Sequence, residues 1–158
     1  MRDPAVVHED LYDLMRVRGF FGGYYVDALA GVDIALWDAA ARTAGLPLAR
    51  MLGGIRQREI PAYVSGLPRP TLAERVDLAR EWQARGFGAV KFAAAVSEQG
   101  ELAEMAALRS ALGPTSRIMV DLHWRYTAHE AIALIDRLHA HDLHFAEAPC
   151  QAEDIDGL

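Results

Sequence analysis

The sequence has little cysteine, little positive charge and no long apolar run, and each scarcity excludes a class of protein. Its single cysteine, Cys150, allows no internal disulfide and fits a reducing compartment. Acidic residues outnumber basic ones by 22 to 16, and the net charge of -6 disfavours nucleic acids and anionic membranes as partners. No apolar run reaches the roughly 18 residues of a membrane span, and the first residues lack a secretory apolar segment. We therefore expect a cytoplasmic protein.

The first part of the chain contains helical patterns only. Residues 4–17 place apolar side chains on one helical face. A second, alanine-rich helix is nearly continuous in apolar character, so we expect it to be largely buried and to end at Gly45, just before Pro47. We therefore divide the chain into a helical segment, 1–54, and a β/α segment, 55–158.

The β/α segment alternates between predicted strands and predicted helices. The predicted strands are IPAYVSG, GAVKFAAAV, RIMVDLHW and LHFAEAP. Two of the intervening helices begin with a capping box, one formed by Thr71 and Glu74 and the other by Thr127 and Glu130. Strict alternation predicts a parallel sheet with strands buried on both faces. The pattern fits a barrel or an open doubly wound sheet, although no glycine-rich dinucleotide loop follows the first strand.

Ionisable side chains occur near the ends of three successive predicted strands. Lys91 lies near the end of the second strand, Asp121 and His123 two residues apart at the end of the third, and Glu147 at the end of the fourth. Parallel β/α folds form their sites at the carboxyl ends of strands, and a charge within an apolar strand is costly unless it is paired or binds a metal. We therefore expect these side chains to lie at one level and form one site, with Asp121 and His123 on one face of their strand. Each residue alone also fits a helix cap or a structural ion pair.

This set of side chains suits a magnesium-dependent reaction on a carboxylate substrate. Asp121 and Glu147 offer the oxygen ligands that Mg²⁺ prefers. The metal would stabilise an enolate-like intermediate, formed when a base removes the proton next to the substrate carboxylate. Lys91 would add positive charge at that place, and His123 would donate a proton to a departing hydroxyl.

Two stretches of the sequence resemble the mandelate racemase and muconate-lactonising branch of the enolase superfamily. The first is GVDIALWDAAARTAGLPLARMLGG, which is similar to the segment that closes the family's capping domain. The second comprises VKFA, VDLHW and FAEAP at the predicted strand ends. The resemblance implies a (β/α)₇β TIM-like barrel next to an α+β capping domain. This chain would contain the last helices of the capping domain and the first half of the barrel.

The resemblance also implies roles for individual residues. Asp121 and Glu147 match the first and second metal ligands of the family, and Lys91 matches a lysine that neutralises the substrate carboxylate. Ala93 stands where the family has a second lysine that acts as a base, so that base is lost here. His123 matches the general acid of some sugar-acid dehydratases. Weaker candidates for substrate contacts are Ser65, Arg125 and Tyr126.

The function that the resemblance implies is Mg²⁺-dependent loss of water from an aldonic or aldaric acid, which gives a 2-keto-3-deoxy acid. The full-length relative is expected to form a homo-oligomer. Racemisation, epimerisation or cycloisomerisation would use the same residues and stays open. An inactive, truncated protein also stays open, because the family's third metal ligand and its His–Asp base are expected beyond Leu158. We accordingly expect the chain to be a fragment.

Overall fold

A computed structural model describes residues 2–158, which divide into two units. The first unit ends at Ile60 and is helical, whereas the second runs from Pro61 to Leu158 and alternates between strands and helices. No helix within residues 2–158 combines the length and the apolar character that a membrane crossing requires.

The first unit consists of three helices, which are α1 (Pro4–Arg16), α2 (Tyr24–Ala44) and α3 (Leu48–Met51). The Asp3 carboxylate caps α1 by accepting a hydrogen bond from the Ala5 N–H at 2.9 Å. Helix α2 ends as predicted, at Gly45, whose φ of 66° is a left-handed conformation that glycine adopts without steric cost.

The expectation that α2 is largely buried is wrong. Within α2 only Leu29 and Ala41 are buried, whereas Val32 and Ile34 are 45% and 65% exposed. Continuous apolar character predicts burial on all sides of a helix, but α1 and the short α3 cover only part of the α2 surface within this unit.

The second unit contains one parallel sheet of four strands in the order β1-β2-β3-β4. The strands are β1 (Val64–Ser65), β2 (Ala89–Ala93), β3 (Arg117–Asp121) and β4 (Leu143–Glu147). The connecting helices are α4 (Leu72–Ala84), α5 (Glu101–Leu112) and α6 (Ala128–His139), and a short 3-10 helix at Ala94–Val96 follows β2. All four predicted strands are present, although β1 is shorter than its predicted run.

The core of the second unit lies between the three helices and one face of the sheet. Strand side chains on this face have at most 1% exposure, and they are Val90, Phe92, Ile118 and Val120. They pack with Ala79 of α4, Met105 and Leu108 of α5, and Leu138 of α6. Sequential strands with all connecting helices on one face form the architecture of a β/α barrel, because a doubly wound sheet has helices on both faces. The prediction of a barrel-type α/β fold is confirmed.

The other face of the sheet is only partly buried. It carries Ser65, Lys91, Ala93, Met119, Asp121, Phe145 and Glu147. In β4, the Phe145 residue is 40% exposed and the Glu147 side chain 44%. The prediction that the strands are buried on both faces is therefore wrong for the two edge strands of this sheet, β1, whose Ser65 is exposed, and β4.

Both predicted capping boxes are present. The Thr71 hydroxyl accepts a hydrogen bond from the Glu74 N–H at 3.3 Å, and the Thr71 N–H donates to the Glu74 carboxylate at 3.1 Å. Thr127 and Glu130 make the same pair of bonds at 3.3 and 2.9 Å. The Thr71 hydroxyl chiefly lowers the pKa of Glu74, and the Thr127 backbone N–H chiefly lowers the pKa of Glu130.

We expect the capping boxes to contribute stability that acid removes. Because the folded chain holds the pKa of both carboxyls below the ordinary value of 4.5, this contribution is complete above that value and is lost as the pH falls through the lower folded pKa. In the double variant Glu74→Gln, Glu130→Gln, the free energy of unfolding should therefore decline less steeply between about pH 6 and about pH 3. Urea titrations across this range measure the slope.

A double variant of two exposed acids, Glu81→Gln and Glu153→Gln, is the matched control, because neither side chain makes a capping bond. It should keep the wild-type slope. Equal slopes for the capping variant and the wild type would contradict the assigned role of the boxes.

Candidate functional site

The carboxyl ends of the strands place two carboxylates side by side. In the register of the sheet, Ala93 pairs with Asp121, and Asp121 pairs with Glu147. Register partners in a parallel sheet project to the same face, so both carboxylates lie on the face away from the helices. We call Ala93, Asp121 and Glu147 the carboxylate row.

Lys91 does not lie at the level that the sequence predicted. It stands two residues before the carboxylate row, and its register partners are Ser65 and Met119. Its long side chain nevertheless reaches the row, because the ammonium donates a hydrogen bond to the Glu147 carboxylate. The same ammonium lies 5.7 Å from the centroid of the Tyr63 ring, within the range of a cation–π contact.

The Lys91 ammonium stays a cation in this environment. Its side chain is only 9% exposed. Burial lowers the pKa of Lys91, but the hydrogen bond and charge of Glu147, together with Tyr63 and Asp121, outweigh burial, so the pKa is raised overall. The neighbours of Lys91 therefore favour its charged form.

The backbone turns sharply after β3 and brings His123 back onto Asp121. His123 and Trp124 have φ values of 52° and 53°, a conformation that side chains other than glycine adopt at a steric cost. The His123 N–H donates to Asp121 Oδ1 at 3.0 Å, and the imidazole Nδ1 lies 3.1 Å from the same oxygen. The prediction that His123 lies on the strand is wrong, because β3 ends at Asp121 and the imidazole reaches the carboxylate from the loop.

Backbone hydrogen bonds continue between the segments that follow β3 and β4. The Leu122 N–H donates to the carbonyl of Glu147 at 2.9 Å, and the Trp124 N–H donates to the carbonyl of Ala148 at 2.8 Å. These backbone bonds lie directly after Asp121 and Glu147 in the chain. The relative position of Asp121 and Glu147 is therefore fixed by the backbone of both strands.

The three weaker candidates for substrate contacts lie in different surroundings. Ser65 is exposed and is the register partner of Lys91, so the structure brings it to the site. Arg125 is exposed, and within residues 2–158 its side chain makes no hydrogen bond or ion pair. The Tyr126 hydroxyl donates to Glu101 of α5 at 2.6 Å, and burial together with this bond raises the pKa of Tyr126 to about 12. Tyr126 thus already has a partner on a neighbouring helix.

Tyr63 is a site residue that sequence reasoning missed. It stands two residues before Ser65, so the alternation of an extended chain places it on the same face, and this signal would have identified it. Its ring contacts the Lys91 ammonium and meets the Phe145 ring edge-on, with the centroids 6.5 Å apart. The Tyr63 ring therefore lies next to both the Lys91 ammonium and the Phe145 ring on this face of the sheet.

The donor set fits a hard divalent cation that keeps open positions. Asp121 and Glu147 offer carboxylate oxygens, and Mg²⁺ commonly takes one or two protein carboxylates and keeps water or substrate oxygens in the rest of its shell. Over residues 2–158, no three or more His, Cys, Asp or Glu side chains come together in a group that could hold a metal. An open site at this place would use the two carboxylates of the row alone.

We expect the Lys91–Glu147 pair to respond unequally to the loss of either partner. If Glu147 loses its charge, the nearly buried Lys91 ammonium loses its main counter-charge. If Lys91 is removed, the Glu147 carboxylate, at 44% exposure, stays hydrated. Glu147→Gln should lower the free energy of unfolding by about 2 kcal/mol, and Lys91→Met should change it by less than about 1 kcal/mol. Urea denaturation measures both values, and equal losses would contradict the assigned burial of the lysine.

Comparison with known proteins identifies the family. Residues 2–53 match the N-terminal domain of mandelate racemase and muconate lactonizing enzyme, and residues 74–158 match the family described as enolase C-terminal domain-like. The chain is 35% identical to the D-galactarolactone cycloisomerase of Agrobacterium fabrum, over 92% of this chain and 39% of that protein. It is 32% identical to the D-gluconate dehydratase of Thermoproteus tenax, over 99% of this chain and 34% of that protein.

Solved structures agree with these matches. A candidate isomerase from Sinorhizobium meliloti is 57% identical with a TM-score of 0.94, and the match covers 99% of this chain and 41% of that one. A racemase from Streptomyces coelicolor with bound magnesium is 28% identical with a TM-score of 0.88, over 98% of this chain and 43% of that one. The chain thus spans less than half the length of these relatives. It belongs to the mandelate racemase and muconate-lactonising family of the enolase superfamily.

Proposed function

We propose that this chain acts in the Mg²⁺-dependent dehydration of an acid sugar, in which an aldonic or aldaric acid loses water and becomes a 2-keto-3-deoxy acid. The observation that carries the proposal is the carboxylate row, in which Asp121 and Glu147 are register partners with the Lys91 ammonium bonded to Glu147. This arrangement combines oxygen ligands for a cation with a fixed positive charge for an anionic substrate.

The carboxylates and the lysine have distinct roles in this proposal. Asp121 and Glu147 would hold Mg²⁺, which when bound supplies the positive charge that stabilises a carboxylate substrate as the proton next to it is removed. Lys91 attracts the substrate carboxylate to the same end of the sheet. Because Ala93 fills the remaining position of the row, β2 offers no base there, and the proton next to the substrate carboxylate would pass to a base outside the row.

His123 is the candidate general acid. Its imidazole is held against Asp121, and its side chain is 42% exposed, so a substrate hydroxyl can reach the ring. Proton transfer from the imidazolium to the hydroxyl lets the hydroxyl leave as water while the C–O bond breaks. The enol that remains takes up a proton on carbon and becomes the 2-keto acid.

The relatives support the substrate class. One is a D-gluconate dehydratase, and another is a cycloisomerase of D-galactarolactone, the lactone of an acid sugar. The bound magnesium of the Streptomyces coelicolor racemase supports the choice of cation. Cycloisomerisation is the second candidate function, because the cycloisomerase is 35% identical over 92% of the chain.

Magnesium binding tests the carboxylate row directly. We expect isothermal titration calorimetry to show one Mg²⁺ site in the wild-type chain. Asp121→Asn and Glu147→Gln should each weaken the affinity by at least about tenfold, because each removes a charged oxygen ligand. Asp136→Asn is the matched control, since Asp136 is exposed on α6, away from the strand ends. Wild-type affinity in all three variants would contradict the proposed ligands.

A product assay tests the reaction. With Mg²⁺ and a panel of aldonic and aldaric acids, dehydration gives a 2-keto acid that semicarbazide detects by absorbance. His123→Asn should lower the rate by at least about a hundredfold, because it removes the general acid. His129→Asn, which changes an exposed histidine of α6, should leave the rate unchanged.

The products separate the candidate functions. A product interconverted with a sugar lactone, without any 2-keto acid, would replace dehydration with cycloisomerisation. Turnover of neither acid sugars nor their lactones would contradict both functions for this chain and would favour the inactive, truncated protein.

A further inference from the structure

A buried ion pair joins α4 and α5 at the end of the sheet that carries the candidate site. The guanidinium of Arg75 makes a two-pronged contact with the carboxylate of Glu104, with Nε–Oε1 and Nη2–Oε2 distances of 2.8 and 2.9 Å. Their side chains are only 2% and 1% exposed. Both residues lie in the first turns of their helices, which begin at the end of the sheet where β1 and β2 finish.

The ion pair also bonds to two loops. Arg75 Nη1 donates to the carbonyl oxygens of Arg69 and Pro70 at 3.0 and 3.1 Å, in the loop between β1 and α4. The hydroxyl of Ser97, in the loop between β2 and α5, donates to the Glu104 carboxylate. One ion pair therefore ties together the loops that follow two neighbouring strands.

A buried ion pair is by itself weak evidence of a stabilising role. Taking an ion pair out of water costs free energy that the attraction of the charges only partly offsets, and apolar pairs of similar size are often as stable. An apolar pair, however, offers no donors or acceptors to a loop. A guanidinium has donors fixed in a plane, and here it uses them toward the carboxylate and two carbonyls at once.

We propose that the Arg75–Glu104 pair is a positioning element that fixes the loops after β1 and β2, the strands that carry Ser65 and Lys91. Its consequence for catalysis rests on the proposed function, whereas the positioning of the loops does not. The proposed metal ligands and general acid belong to β3, β4 and the loop after β3. Loosening the loops after β1 and β2 should therefore weaken substrate binding and leave the rate of the chemical step unchanged.

Arg109 offers a matched comparison at the opposite end of the sheet. Its guanidinium donates to the carbonyl oxygens of Gly113, Ser116, His141 and Asp142 at distances between 2.7 and 3.0 Å. These residues lie in the loops that precede β3 and β4, and the Arg109 side chain is 16% exposed. Arg109 thus also binds the carbonyl oxygens of two loops, but these loops lie at the end of the sheet opposite to the carboxylate row.

Hydrogen exchange of the full chain, read by mass spectrometry, tests the positioning. The double variant Arg75→Met, Glu104→Leu removes both charges together, so it leaves no unpaired buried ion. We expect the amides of 66–71 and 94–100 to exchange at least about tenfold faster, with 113–117 and 140–143 unchanged. Arg109→Met should show the reverse pattern. Wild-type exchange in 66–71 and 94–100, or equal acceleration of every segment, would overturn the proposal.

Two milder variants keep the test decisive if the double variant does not fold. Ser97→Ala should accelerate exchange in 94–100 only. Arg75→Lys should accelerate exchange in 66–71, because an ammonium cannot reproduce the planar contacts of the guanidinium. Wild-type exchange in both variants would overturn the proposal.

Steady-state kinetics on an acid sugar that the chain turns over test the consequence for substrate binding. The double variant should raise KM by at least about tenfold and leave kcat within about threefold, and Arg109→Met should change neither. A fall in kcat at constant KM would overturn the link to substrate binding. An inactive wild-type chain would count against the proposed function, and the exchange experiment would still decide the positioning of the loops.

Discussion

The parallel register of β2, β3 and β4 is the constraint on which the candidate site depends. It places Asp121 next to Glu147, and the backbone bonds beyond both residues hold that spacing. The register of β2 and β3 is itself fixed by packing, since alternate residues of both strands are buried against the helices, and Leu143 and Ala146 of β4 pack beside them. A shift by one residue would bury both carboxylates in the apolar core, at a large cost in free energy. The packing that forms the core therefore also places the two carboxylates next to each other.

Charge compensation links the members of the site to one another. The Lys91 ammonium is nearly buried and needs the Glu147 carboxylate, whereas Glu147 is exposed enough to serve a second partner. Asp121 is in turn held by the backbone N–H of His123. A cation bound between the two carboxylates would join a set of charges that already have fixed positions, so little reorganisation would accompany its binding.

Local signals predicted most of the fold, and long-range contacts account for what was missed. The capping boxes and Gly45 were predictable, because hydrogen bonds within a few residues determine them. The level of Lys91 in the sheet was not, since register depends on packing between strands. The place of His123 required the backbone turn after Asp121, which no local pattern announces. The Arg75–Glu104 pair joins residues on separate helices, and neither residue stands out in the sequence.

Anomalous diffraction from crystals of the chain grown with Mn²⁺, an analogue of Mg²⁺ that takes similar oxygen ligands, tests the central claim most directly. The carboxylate row predicts one strong peak in the anomalous map, within about 2.5 Å of carboxylate oxygens of both Asp121 and Glu147. An ordered pair of carboxylates with no peak between them, or a peak held by other residues, would contradict the assignment of this end of the sheet as the metal site.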